Sequence, residues 1–342
     1  SPIISGGKVF LTTADVKRGK LYLLCYDQAS GELLWEKLVF WGKLLDNMHK
    51  QNSHASPSPA TDGKVVCVLF GFKKAIWLAA FDLEGKKLWK KEVAKVKSYF
   101  GAGTSPLVYK DKVIVQNDME PNHLIAAYRI TDGMLLWKTK RDDPGDADFH
   151  SYSTPRLFMV QGKARIVTSG REKVKFYDPE NGELTWEIKA GSDVTVGTPL
   201  INRRYLYING GWPQRGSSAI DLKRREIIWR NRFDTYISSM VLYQDHIYGS
   251  TNRGELACMD AKSGTIIWRE RFRTEVQASP FVAGEHLYVM LRNGTTKVIK
   301  PSSEKYIEVS ENKIPGTTDA TPAVVDGRIY YRTEGMLYCF GN

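Results

Sequence analysis

Four of the six histidines, His49, His54, His123 and His150, stand in stretches that also carry Asp118, Glu120, Asp142, Asp143, Asp146 and Asp148. An imidazole beside a carboxylate can ligate a divalent cation or move a proton near neutral pH. These four are therefore candidate ligand-binding residues, with Asp118 and Asp148 as weak metal candidates. No pair of them has the HxxxH or HExxH spacing that places two ligands on one helix face. The competing reading is solvated turns, and no catalytic residue is assigned.

Positive charge is the second chemical signal. The chain has 49 Lys and Arg against 38 Asp and Glu, a net charge of +11. Arg171, Arg215, Arg253, Arg292 and Arg332 recur at similar points of the sequence, as do Lys17, Arg18, Lys73 and Lys74. Such a set could ring one opening and focus an anion: an acidic carbohydrate, an anionic headgroup or a carboxylate. Nucleic acid is the weakest of these partners, because the basic residues are scattered singly and no recognition motif is present. Trp212, in NGGWPQRG, is flanked by glycines and is a candidate for stacking on a ligand or for plugging a channel.

The remaining chemistry is bland. Cys25, Cys67, Cys258 and Cys339 lie in apolar runs, form neither a metal spacing nor a disulfide framework, and read as small buried hydrophobes. No run approaches the roughly 18 apolar residues of a membrane span. The chain opens directly on a strand-like run, so any leader peptide is expected upstream of Ser1.

What positions these residues is a repeat. CYDQASGELLW, ending at Trp35, returns as AFDLEGKKLW at Trp89, AYRITDGMLLW at Trp137, FYDPENGELTW at Trp186, AIDLKRREIIW at Trp229 and CMDAKSGTIIW at Trp268. Each copy reads as strand, turn, strand. The Asp side chain accepts from the turn N–H groups and the Gly supplies positive φ. The third copy has Arg129 for the Asp, and the fifth has Arg225 for the Gly.

Upstream of each copy sits a Ser/Thr-Pro followed by two short apolar runs, at Pro2, Pro59, Pro106, Pro155, Pro199, Pro280 and Pro322, and at Ser239-Met240. Eight starts, 40 to 57 residues apart and with four strand-like runs per unit, predict an all-β, eight-bladed β-propeller of four-stranded antiparallel blades. One continuous core makes residues 1–342 a single domain. The six repeat Trp residues read as packing: an indole buries about 150–250 Å² and can wedge one blade against the next. The last unit, ending in LYCFGN, lacks its outer strand. That strand is expected to precede Ser1, and without it blade eight is expected to expose an edge.

The pattern A-x-D-x-x-x-G-x-x-x-W with Ser/Thr-Pro starts resembles the pyrroloquinoline quinone (PQQ) repeat of the quinoprotein alcohol dehydrogenase-like propellers. It is most similar to the BamB-like group, of the kind met in Planctomycetes-type bacteria, through segments such as SPIISGGKVFLTTA, ATDGKVVCVLFG and RTEGMLYC. The resemblance implies a periplasmic or otherwise extracytoplasmic, monomeric, non-catalytic binding or assembly scaffold. Its partner would be a protein or an anionic carbohydrate, met on the loop face around the central channel. Two alternatives stand beside it: an enzyme acting on an anionic small molecule at the His/Asp/Arg face, and a PQQ-dependent dehydrogenase. For the last, the resemblance implies a vicinal Cys-Cys pair and a calcium-ligand set. No adjacent cysteines occur here, so PQQ with calcium is not the expected cofactor.

The loop face is expected from the long interblade segments 39–56, 94–104 and 141–153, and from the second-to-third-strand loops 15–20, 117–123 and 209–217. Loops of this kind hold most ligand-contacting residues in a rigid fold.

Overall fold

The protein is described from a computed structural model that covers residues 1–341 apart from 46–47, 50, 98–100 and 142–149. The described residues form 31 strands and no helix, in seven four-stranded antiparallel sheets and one of three strands. The sheets span residues 3–41, 60–95, 107–140, 156–189, 200–230, 241–271, 281–313 and 323–340. This is the eight-bladed β-propeller class, and the last blade has three strands, as the repeat predicts. The chain divides into two compact units. One is Ser1–Leu157, Ala164–Ile166 and Tyr177–Thr185, and the other is Phe158–Lys163, Val167–Phe176 and Trp186–Asn342.

Each element of the repeat has a visible physical job. Asp27 Oδ1 accepts from the N–H groups of Ala29 and Ser30 at 2.9 and 2.7 Å, and Asp260 Oδ1 from Lys262 and Ser263 at 3.1 and 2.6 Å. Where Arg129 replaces the Asp, Asp132 Oδ1 takes over by accepting from Met134 N–H at 2.9 Å.

The small residue at the head of the motif lies directly across the strand pair from the Trp. Cys25 faces Trp35, Ala80 faces Trp89, Ala127 faces Trp137, Ala219 faces Trp229 and Cys258 faces Trp268. Each pair is followed by the same register shift, a bulge that adds twist. Burial pushes the Cys25 and Cys258 thiols up to about 11, and raises that of Cys67 as well. All four cysteines are free. Cys339 departs from the expectation of burial: it is exposed, because its strand has a neighbour on one side only.

The Trp residues join successive blades within each unit. The indole N–H of Trp35 donates to Leu83 O at 3.1 Å, Trp89 to Ile130 O at 2.8 Å and Trp137 to Pro179 O at 3.3 Å. In the second unit Trp229 donates to Ala261 O at 3.1 Å and Trp268 to Ser302 O at 2.9 Å. Trp89, Trp137 and Trp229 are buried, while Trp35, Trp186 and Trp268 are half-buried.

The motif glycine has a second reason to be glycine. A Cβ at Gly133 would lie 2.6 Å from the Trp89 ring, at Gly182 2.3 Å from Trp137, and at Gly264 2.5 Å from Trp229. Trp186 is the exception on both sides. Phe176 occupies the small-residue position and packs on it at 4.4 Å, and Arg225 occupies the glycine position with its guanidinium 5.5 Å from the ring centre.

The Ser/Thr-Pro starts also join blades. The N–H of Ser58 donates to Ser105 Oγ at 3.0 Å, and that of Ser105 to Thr154 Oγ1 at 3.1 Å. In the second unit Thr198, Ser239 and Ser279 each donate at 2.9 Å to the hydroxyls of Ser239, Ser279 and Thr321. A hydroxyl at the blade start, before the Pro where one is present, thus satisfies a half-buried donor of the preceding blade.

Candidate functional site

In the first unit the expected His/Asp face is built around an arginine. Arg141 is fully buried, and its Nε and Nη2 donate to Asp118 Oδ1 and Oδ2 at 2.6 and 3.1 Å. Its Nη1 donates to the Tyr177 hydroxyl at 2.9 Å, and Gln116 Nε2 donates to Asp118 Oδ2 at 2.6 Å. Asp118 is therefore engaged on both oxygens, which leaves a cation little to take.

Two of the four histidines, His123 and His150, adjoin this cluster. His123 Nε2 lies 3.3 Å from Glu120 Oε1, and its carbonyl accepts from Arg141 N–H. His150 is buried beside Ser151, which bridges to Asp118. His49 Nδ1 accepts from Gln51 N–H at 3.3 Å, and His54 is half-buried, with burial pushing its pKa down. Asp142, Asp143, Asp146 and Asp148 lie outside the described residues. Among the described residues no three His, Cys, Asp or Glu side chains come together as a metal site.

The arginines of the second unit behave differently from one another. Arg171 is buried, its N–H donating to Asp193 O at 3.0 Å, so it is not part of an open positive rim. Arg332 is the last residue of its strand, and its carbonyl accepts from Thr318 Oγ1. Arg292 is neutralised twice, by Glu275 and Asp319, both at 3.0 Å. Burial raises the Asp319 pKa and Arg292 opposes that rise.

Arg215 lies 3.7 Å from Asp234 and 5.7 Å from the Trp212 ring centre. Trp212 is itself 49% exposed, yet its backbone is fixed. Its N–H and C=O pair with Val194 at 3.0 and 2.9 Å, and Gln214 Oε1 accepts from Ser192 Oγ at 3.0 Å. The double glycine of NGGW makes this approach possible, because a Cβ at Gly211 would stand 1.7 Å from Val194 O. Trp212 is thus a half-exposed ring on a pinned loop.

Beside Arg253 the structure adds two residues that the repeat pattern did not single out, Arg271 and Arg273. The three line one cavity of about 460 Å³ with Phe272, Thr274 and Glu275. Gly254, at φ +82°, lets the turn carrying Arg253 sit against this segment: a Cβ there would be 2.1 Å from Thr274 O, and Phe272 N–H donates to Gly254 O at 2.7 Å. Phe272 is buried and faces inward, so Arg271 and Arg273 on either side of it face out, the two-residue period of an extended chain. That alternation in RERFR is the signal that could have found them.

The chain is similar in sequence profile and in fold to known proteins. The sequence profile of the family described as outer membrane protein assembly factor BamB matches residues 19–270 and 217–305. No curated protein sequence matches the chain. Among solved structures, BamB from Moraxella catarrhalis is 15% identical, with a TM-score of 0.73 over 100% of this chain and 96% of that one. A quinohemoprotein alcohol dehydrogenase from Comamonas testosteroni is 12% identical, with a TM-score of 0.72 over 96% and 69%. A europium-containing methanol dehydrogenase is 14% identical, with a TM-score of 0.70 over 96% and 81%. At these identities the structural likeness concerns the fold.

The quinone site of such dehydrogenases, as the resemblance implies it, asks for a vicinal cysteine pair and a set of free carboxylates. The sequence has no adjacent cysteines, and Asp118 is taken up by Arg141 and Gln116. On both counts the described residues do not fit that group.

Proposed function

Because the chain belongs to the family of outer membrane protein assembly factor BamB, we propose that it is a non-catalytic extracytoplasmic scaffold that docks a protein partner on the loop face of its second unit. The observation that carries this reading is Trp212, an exposed indole on a loop tied down by backbone hydrogen bonds, with Arg215 stacked against it. Trp and Arg dominate the energetics of protein interfaces, and a rigid anchor avoids the ordering cost of binding. An acidic carbohydrate is the competing ligand, since the same arginines would attract it.

A photo-crosslinking amino acid placed at position 212, with position 262 on the opposite turns as control, tests the reading in envelope fractions of the source organism. A discrete protein adduct from position 212 alone is expected. No protein adduct, or the same adducts from both positions, would remove the scaffold. A thermal-shift titration with PQQ and calcium checks the dehydrogenase alternative. A ligand at 100 times its Kd adds about 2.7 kcal/mol, and such a gain would overturn the proposal.

A further inference from the structure

The cavity beside Arg253 does not end there. It adjoins a second of about 350 Å³ that shares Arg271, Phe272, Arg273 and Thr274, so the two form one groove between blades six and seven. Cavities of this size are ample for several side chains. The groove mixes apolar lining from Phe272, Leu291 and Tyr306 with Thr274, Asn293 and Thr295, which offer donors and acceptors.

Charged side chains of both signs line it. At one end Arg253, Arg271 and Arg273 face the cavity, and among the described residues none has a carboxylate in ion-pair reach. The one acid on that wall, Glu275, is engaged by Arg292 at 3.0 Å. Towards the other end three carboxylates, Glu270, Glu308 and Glu311, and the Lys297 ammonium join the shared Arg271 and Arg273. Lys297 Nζ bonds both oxygens of Glu308, at 3.1 and 3.0 Å, and also bonds Glu311. The Tyr306 hydroxyl donates to Glu308 Oε2 at 2.7 Å. Glu270 has no cation in ion-pair reach among the described residues, so its carboxylate is left to meet a basic group.

We propose that this groove binds an extended segment of the partner protein that is acidic at one end and basic at the other. Its carboxylates would meet Arg253, Arg271 and Arg273, and its basic side chain would meet Glu270. The inference rests on the reading of the chain as a protein scaffold and names the chemistry of what docks. A guanidinium and a carboxylate pair through two parallel hydrogen bonds, which gives the acidic end a fixed register. A uniformly anionic polysaccharide laid along the same groove would bring its charge against the glutamates, and a like-charge contact selects against it.

The test uses the whole chain and a fluorescein-labelled nonapeptide of three aspartates, four uncharged residues and two lysines, followed by anisotropy. The controls are the same peptide with glutamates for the lysines, and tetragalacturonate as competitor. The mixed-charge peptide is expected to bind, with the Arg271→Glu/Arg273→Glu double variant at least 10-fold weaker and its melting temperature unchanged. Glu270→Lys is expected to weaken the mixed peptide and to strengthen the all-acidic one. Equal binding of the two peptides, displacement by tetragalacturonate at equal affinity, or indifference to the double variant would overturn the proposal. Crosslinking from position 212 separates the two readings: an adduct that persists while the peptide fails to bind removes the groove and leaves the scaffold.

Discussion

Arg141 in the first unit and Arg271 with Arg273 in the second follow the same landmark, the repeat Trp of the outer strand, and end in opposite situations. Arg141 stands four residues after Trp137, while Arg271 and Arg273 stand three and five after Trp268. The fourth position points inward throughout: Val39, Val93, Ala190, Phe233 and Phe272 fill it elsewhere, all buried. An arginine in that slot has to bring its own counter-ion, and Asp118 with Tyr177 and Gln116 supplies the pairing. One residue to either side, the same side chain is delivered to solvent at a cavity wall. Compensation and register, and not the number of arginines, separate the charge that builds from the charge that is free to bind.

The largest effect expected from this contrast is at Asp118. Asp118→Asn leaves the Arg141 guanidinium buried without its counter-charge, and a loss of about 3–5 kcal/mol in chemical denaturation is expected. A loss below about 1 would mean that Arg141 reaches water and that the two regions are alike.

A packing change in the same unit gauges how far the electrostatic cost stands out. Gly182→Ala combines a strained φ of +75° with a Cβ 2.3 Å from the Trp137 ring, and about 1–3 kcal/mol is expected. At the exceptional joint Arg225→Ala should cost less than about 1 kcal/mol, because it removes only the contact of an exposed guanidinium with the Trp186 ring.

Glu180 lies between the two extremes, a surface carboxylate that Lys110 and Lys112 hold down to about 2. Its folded value is below the ordinary one, so its contribution is present above about pH 4.5 and fades as pH falls towards 2. Because both partners are largely open to solvent, screening keeps the contribution small. Glu180→Gln should therefore melt slightly below the parent at pH 7 and level with it near pH 2. A gap that widens on acidification would reverse the sign of the account. The smallest effect is expected from Arg271→Ala/Arg273→Ala, within about 0.5 kcal/mol in stability.

The fold was legible because its determinants are local and repeated. Asp27 caps its own turn, and the period of the Trp residues marks the blades. What could not be read was whatever depends on a neighbour in space. Gly133 looks like a turn residue until the Trp89 ring is seen against it, and the hydroxyl of Ser105 looks like a strand start until the N–H of Ser58 reaches it. The candidate site was read less well for a related reason. Histidine in a loop is frequent, and nothing in the order of residues tells whether His49, His54, His123 and His150 converge. Arg271 and Arg273 were hidden by their place in a strand end, although the inward position of Phe272 between them, set by the count from Trp268, fixes where they point.

The most direct measurement of the central contrast is arginine modification by phenylglyoxal, read by mass spectrometry with and without the mixed-charge nonapeptide. The account predicts rapid labelling of Arg253, Arg271 and Arg273, slowed at least several-fold by the peptide, with Arg141 unlabelled until the chain unfolds. Labelling of Arg141 in the folded protein at a comparable rate, or labelling of the other three that the bound peptide leaves unchanged, would contradict it.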